Sequence, residues 1–105
     1  NEATREDLLA NLRHLRDEAL AARELWAAVG REYLDGPQPF PGRLHVNALF
    51  FRWAWEQADT NRRWAEWALR EVEGWPDASG PSDPERSLRV FRDLLDDRLP
   101  VDGDN

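Results

Sequence analysis

A chain of 105 residues has room for one domain with a modest core. Its net charge is −7 and its 14 basic residues are all arginine, a balance that argues against the chain gripping nucleic acid or an anionic membrane, since both need clustered positive charge. Cysteine is absent, which excludes disulfides and thiolate chemistry, and no apolar run has the length of a membrane span or the pattern of a signal peptide, so a cytoplasmic protein is expected.

Thr4 is placed to cap a first helix, with Asp7 closing a capping box and Glu6 favourable to the helix dipole. Leu8, Leu12, Leu15, Ala19, Ala22, Trp26, Val29 and Tyr33 then alternate steps of four and three residues, a heptad seam over almost four repeats. The seam is bulky at both ends and small at Ala19 and Ala22, where a partner helix can approach closely. Two readings follow: an amphipathic helix packed within one domain, or an arm shared between two chains. The first helix is expected over residues 4–34, ended by Asp35-Gly36-Pro37. The loop 35–43 is long enough to reverse the chain into an antiparallel hairpin, with Phe40 expected as a plug over its end.

The second helix, expected over residues 44–75, holds five of the six tryptophans. At about 100° per residue it is apolar on two sides. Trp53, Trp64 and Trp75 share one side with Val46, Leu49, Phe50 and Trp67; Leu44, Phe51, Ala54, Trp55, Ala58, Ala65, Leu69 and Val72 form the other. A narrow exposed arc carries Arg52–Glu56, Asp59–Arg63 and Glu66–Arg70 as pairs four residues apart. A helix apolar on two sides needs partners on both. Midway, Gln57, Thr60 and Asn61 make a polar waist near the tryptophan side, and such groups must meet a hydrogen-bond partner, water or a ligand.

Residues 76–83 read as a linker. Ser82 and Asp83 then cap a third helix, expected over 84–99, with Pro84 at its first position and Glu85 closing a capping box. Leu88, Phe91, Leu94, Leu95 and Leu99 give it one apolar stripe, and Pro100 stops it before an acidic tail, 100–105, expected to be disordered. The fold expected is all-α: one domain over 1–99, a long antiparallel hairpin plus a shorter third helix. Helices of about 30 residues span about 45 Å, too long for one short helix to cover, so a dimeric bundle is expected.

Chemistry for catalysis is not written here. His14 lies near Asp17 and Glu18 at helical spacing, but solvated polar residues on a helix face are the usual meaning of that pattern. No phosphate-binding glycine loop or nucleophile motif occurs. The expectation is a non-enzyme with no cofactor, no metal and no catalytic residue. The aromatic set allows more, because rings bind flat or cationic molecules. Trp26, Trp53, Gln57, Asn61 and Trp64 are the candidate ligand residues, for an aromatic or cationic small molecule. The candidate dimer contacts are Leu8, Leu12, Leu15, Ala19, Ala22, Trp26, Trp64 and Trp67.

The leading helix LLANLRHLRDEALAARELWAAV and the run FFRWAWEQADTNRRWAEWALREVE together resemble the C-terminal domain of PadR-type transcriptional regulators. The resemblance covers Arg5 to Trp75. In that family a winged-helix DNA-binding domain precedes a long helical hairpin, whose second helix often carries a tryptophan in a setting like that of Trp64 and Trp67. The resemblance implies homodimerisation and, as in some members, an aromatic effector pocket. Two departures stand out: the sequence contains no winged helix, so this chain is not expected to contact DNA, and the third helix goes beyond the usual hairpin. The contrasting expectation is a stand-alone acidic adaptor or inhibitor of the immunity, anti-sigma or phage-inhibitor kind, whose negative charge meets a larger protein partner.

Overall fold

The computed structural model describes residues 4–38, 40–77 and 79–96. Three helices account for most of them: α1 (Arg5–Asp35), α2 (Leu44–Glu73) and α3 (Pro84–Leu95), with one 3-10 turn, Pro41–Arg43, leading into α2. The only β-type pairing among the described residues is a bridge between Asp77 and Gly80, closing a turn in which Gly80 takes a φ of 124° that favours glycine.

Local sequence explains the boundaries. The Thr4 hydroxyl accepts from the Asp7 backbone N–H at 3.0 Å, and the Asp7 carboxylate accepts from the Thr4 N–H at 3.2 Å, the reciprocal capping box expected there. At the other end the Gly36 N–H still reaches the Glu32 carbonyl at 3.1 Å, and Pro37 permits nothing further. α2 stops at Gly74, short of Trp75, since Pro76 disfavours helical backbone just before it. The Asp83 carboxylate caps α3 by accepting from the Glu85 N–H at 3.0 Å. Glu85 does not complete a box; its carboxylate pairs with Arg92 along the helix instead. Residues 97–99 of the expected third helix and the tail 100–105 lie outside the described residues.

α1 and α2 form the long antiparallel hairpin, and its interior changes character along its length. At the terminal end Leu9, Leu12, Ala68, Leu69 and Val72 form a buried cluster with Leu8 and Trp75 packed on it. The Arg5 guanidinium closes this end by donating to the Glu73 carbonyl at 2.9 Å, satisfying one of the carbonyls that the end of α2 leaves without a helical partner. The middle is built of alanine: Ala19 from α1 and Ala54, Ala58 and Ala65 from α2, with Ala65 wholly buried. Small residues let the two backbones run close, as the small centre of the first-helix seam implied. Towards the loop the interior is aromatic, with Trp26 edge-on to Phe51 (6.3 Å between centroids, 83° between planes) and Phe51 stacked on Trp55 at 6.2 Å. Phe40 is exposed and plugs nothing, because the 3-10 turn carries it outward.

The aromatic end depends on a close approach at Gly30, where an added Cβ would sit 2.9 Å from Cζ of Phe51. Gly30→Ala gains about 1 kcal/mol of helix propensity. Displacing a ring held between Trp26 and Trp55 costs about 1–3 kcal/mol. A small net loss of stability is therefore expected in urea titration, larger than that of an alanine placed at exposed Gly42, where an added Cβ meets nothing.

The molecule extends 56 × 34 × 21 Å with a radius of gyration of 18.8 Å, against about 13 Å for a compact domain of this length. α3 does little to shorten it. No residue of α3 is buried; an Arg86–Glu71 ion pair at 3.2 Å ties it to α2, and its Val90 and Phe91 border a shallow groove whose other walls include Trp64, Trp67 and Trp75.

Candidate functional site

The two apolar sides of α2 meet different fates. The side with Phe51, Ala54, Ala58, Ala65, Leu69 and Val72 packs on α1. The other keeps its large side chains in solvent: Phe50 is 65% exposed, Trp53 63%, Trp64 49% and Trp67 37%, with Leu49 and Val46 exposed beside them. α1 takes the alanine side because only that side allows the close approach seen at the middle of the hairpin. Among the described residues the outer face therefore lacks a partner, apart from α3 at its Trp67 end.

The expected ligand residues do not form one site. Trp26 turns into the hairpin against Phe51 and meets none of Trp53, Trp64 and Trp67. Trp53 and Gln57 lie exposed on the outer face of α2. Asn61 and Trp64 come together in a shallow groove of about 280 Å³ with Leu15, Ala19, Ala22 and Ala58. Trp26 instead shares a small groove with Tyr33, Asn47, Phe50 and Phe51.

The expected dimer contacts divide in the same way. Leu12 and Ala19 are buried inside the hairpin and have no surface left for a second chain. Leu8, Ala22 and Trp26 are half-buried by the same packing. Leu15, Trp64 and Trp67 keep exposed surface. The first-helix seam thus serves mainly the chain's own hairpin, and the outer face of α2, with Leu49, Phe50 and Trp53 added, is the apolar surface left over.

A second feature was not read from the sequence. Near the loop, Tyr33, Leu34, Leu44, Ala48, Phe51 and Trp55 line an open apolar cleft of about 540 Å³. Its polar groups are ordered: the Asn47 amide donates to the Tyr33 hydroxyl at 3.0 Å, and the Gln38 amide donates to the Tyr33 carbonyl at 2.6 Å. The Arg23 guanidinium covers the Trp55 ring at 5.3 Å from its centroid. The spacing of Phe51 and Trp55, four apart on one helix, was the available signal; their pairing with Tyr33 and Gly30 is long-range and leaves none.

Arg23 also crosses the hairpin to Asp59 at 3.0 Å. Asp59 was expected on the solvent arc with Arg63, yet it is half-buried and gathers three arginines: Arg62 at 2.9 Å, Arg23, and Arg63 at 3.5 Å. Arg62 also holds Glu66 at 2.9 Å, so Glu66 turns back to Arg62 and not forward to Arg70, while Arg52–Glu56 forms as expected at 2.8 Å. The hydrogen bond from Arg62 lowers the Asp59 pKa below its ordinary 3.8; partial burial opposes this, and the charges of Arg62, Arg63 and Arg23 add to it. A carboxylate with a lowered folded pKa contributes stability that is fully present above the unfolded value and lost as pH falls through the folded one. The stability difference between the chain and Asp59→Asn should therefore hold constant from neutrality down to about pH 5 and shrink below 3.8, as read by urea unfolding across pH.

His14 lies 3.3 Å from Glu18 as an exposed pair, and among the described residues no three metal-ligating side chains converge. Among the same residues no helix is long and apolar enough to cross a membrane. No known protein family, curated protein or solved structure matches the chain.

Proposed function

We propose that this chain is a homodimerisation domain of a transcriptional regulator, with a secondary capacity to sense a small flat molecule. The observation behind it is the outer face of α2, where Phe50 and Trp53 stay mostly in solvent and Trp64 and Trp67 are only partly covered, although another side of the same helix is packed. An apolar surface of this extent on a soluble domain marks an association site. The step from association to regulation rests on the resemblance of the hairpin, and of the setting of Trp64 and Trp67, to the PadR-type C-terminal domain. In this reading DNA is contacted by a domain outside these 105 residues, as suits a chain of net charge −7. The reading involves no catalysis, cofactor or membrane.

An effector of aromatic or cationic character would enter the cleft at Tyr33, Phe51 and Trp55, since Trp26, Trp53, Gln57, Asn61 and Trp64 do not converge. The same outer face also suits the second reading, an acidic adaptor or inhibitor that docks it on a larger protein. Fusing the chain to a DNA-binding domain that needs dimerisation separates the two. Restored operator binding, lost again with Trp53→Ala, supports the regulator reading, and no restoration contradicts it.

A further inference from the structure

Six positions at the centre of the outer face of α2 read alike in both directions, although the next pair out, Val46 and Glu71, does not. Phe50, Trp53, Gln57, Thr60, Trp64 and Trp67 follow steps of three, four, three, four and three residues, and their character runs two rings, two polar side chains, two rings. The midpoint falls between Ala58 and Asp59. Such a palindrome suits a two-fold axis across an antiparallel helix pair: in an isologous contact each residue meets its mirror position on the other copy, so here rings meet rings and polar groups meet polar groups.

We propose that two copies pair through antiparallel α2 helices whose two-fold axis passes between Ala58 and Asp59, setting Trp53 against Trp64, Phe50 against Trp67 and Gln57 against Thr60 of the second copy. This rests on the homodimer reading and adds its partner and register. Polar side chains then face polar ones, so the Gln57 amide and the Thr60 hydroxyl satisfy each other in the centre of the interface. Sliding one copy by a heptad would instead bring Gln57 beneath Trp53 and Thr60 beneath Phe50. The polar waist is thereby the device that fixes register, as a lone polar layer does in coiled coils.

Antiparallel order follows from the uneven relief of the face. Trp64 and Trp67, 49% and 37% exposed, lie beside α3, whereas Phe50 and Trp53, 65% and 63% exposed, stand bare. Antiparallel pairing brings the flanked end of each copy onto the bare end of the other, and puts Phe91 and Leu94 of α3, both exposed, within reach of the second copy's Leu49 and Phe50. A parallel pair would crowd both α3 helices at one end. The flanks agree as well, since Glu56 falls close to Arg63 of the second copy. The four rings alone expose on the order of 500 Å². Leu49, Val46 and the α3 stripe bring the face towards the roughly 800 Å² per partner of a specific interface.

Because the chain has no cysteine, single cysteines at exposed His45, Arg52 and Arg70 can carry nitroxide labels without background. In the proposed dimer the label separation grows by about 3 Å for each residue away from the axis, twice the helical rise. The His45→Cys distance should exceed the Arg52→Cys distance by about 20 Å, and Arg70→Cys should exceed it by about 15 Å. Sedimentation of the same samples reports their mass. A dimer with these differences supports the proposal. A dimer with three equal distances, or with differences displaced by a heptad, overturns the register and leaves the homodimer reading standing. A monomer overturns both.

Discussion

Trp53→Ala is expected to weaken self-association by roughly 30-fold or more while barely changing the fold of the single chain. The ring is 63% exposed within its own chain, so the hairpin loses little packing when it is removed. Across an interface, a central tryptophan is the residue type that most often carries 2 kcal/mol or more, and about 1.4 kcal/mol is a tenfold change in affinity. The readouts are a dissociation constant from dilution series and the helical signal at a concentration where the chain is monomeric. Phe40→Ala is the control. Phe40 is comparably exposed, at 64%, but lies off the α2 face, and its loss should leave affinity and stability within about 0.5 kcal/mol. Equal behaviour of the two variants would mean that exposure alone, and not the α2 face, decides association. Trp64→Ala should lie between folding and binding effects, because that ring is half-covered by its own chain; the cost of several kcal/mol expected for a fully buried tryptophan does not fall on the monomer alone.

The largest effect on folding should come from the opposite side of the hairpin. Leu9 is 2% exposed and sits in the cluster with Leu12, Ala68, Leu69 and Val72. Leu9→Ala removes its buried methyls and leaves a cavity, at a cost of about 2–5 kcal/mol. A domain of this size holds about 5–15 kcal/mol in total, so the melting temperature should drop by on the order of 10–20 °C at fixed protein concentration. Concentration must be fixed because association itself raises apparent stability. Leu20, of the same type but partly exposed on the same helix, should lose far less when replaced by alanine. Similar losses at both positions would contradict the placement of the core.

Local signals were the legible part of this chain. The Thr4–Asp7 box, Gly36-Pro37 and Pro84 set helix ends through contacts within a few residues, and the structure reproduces them. The two-sided character of α2 was also readable, since it needs only the helical period. The choice of side was not. Both sides of α2 are apolar enough to pack on α1, and the choice turns on Ala54, Ala58 and Ala65 permitting a close approach, together with Phe51 resting on Gly30. The phase of the first helix was legible only in outline: the seam through Leu8 and Leu15 is correct to within one position, yet Leu9 is the deeper residue and Leu15 stays exposed beside Asn61 and Trp64. Asp59 shows the same limit. Helical spacing pairs it with Arg63, while its partner across the hairpin, Arg23, is 36 positions away and leaves no trace in local spacing. The ligand residues scattered for a related reason: Trp26 was grouped with other tryptophans by type, and the fold groups it with Phe51 by place.

Sedimentation equilibrium over a wide concentration range tests the central claim most directly, that the bare face of α2 is covered by a second copy. The expected result is a mass near twice 12.2 kDa that persists on dilution, with Trp53→Ala dissociating to the single-chain value at a concentration roughly 30-fold higher than the unsubstituted chain. A mass of 12.2 kDa at every concentration would contradict it, and would turn the same face towards a different protein.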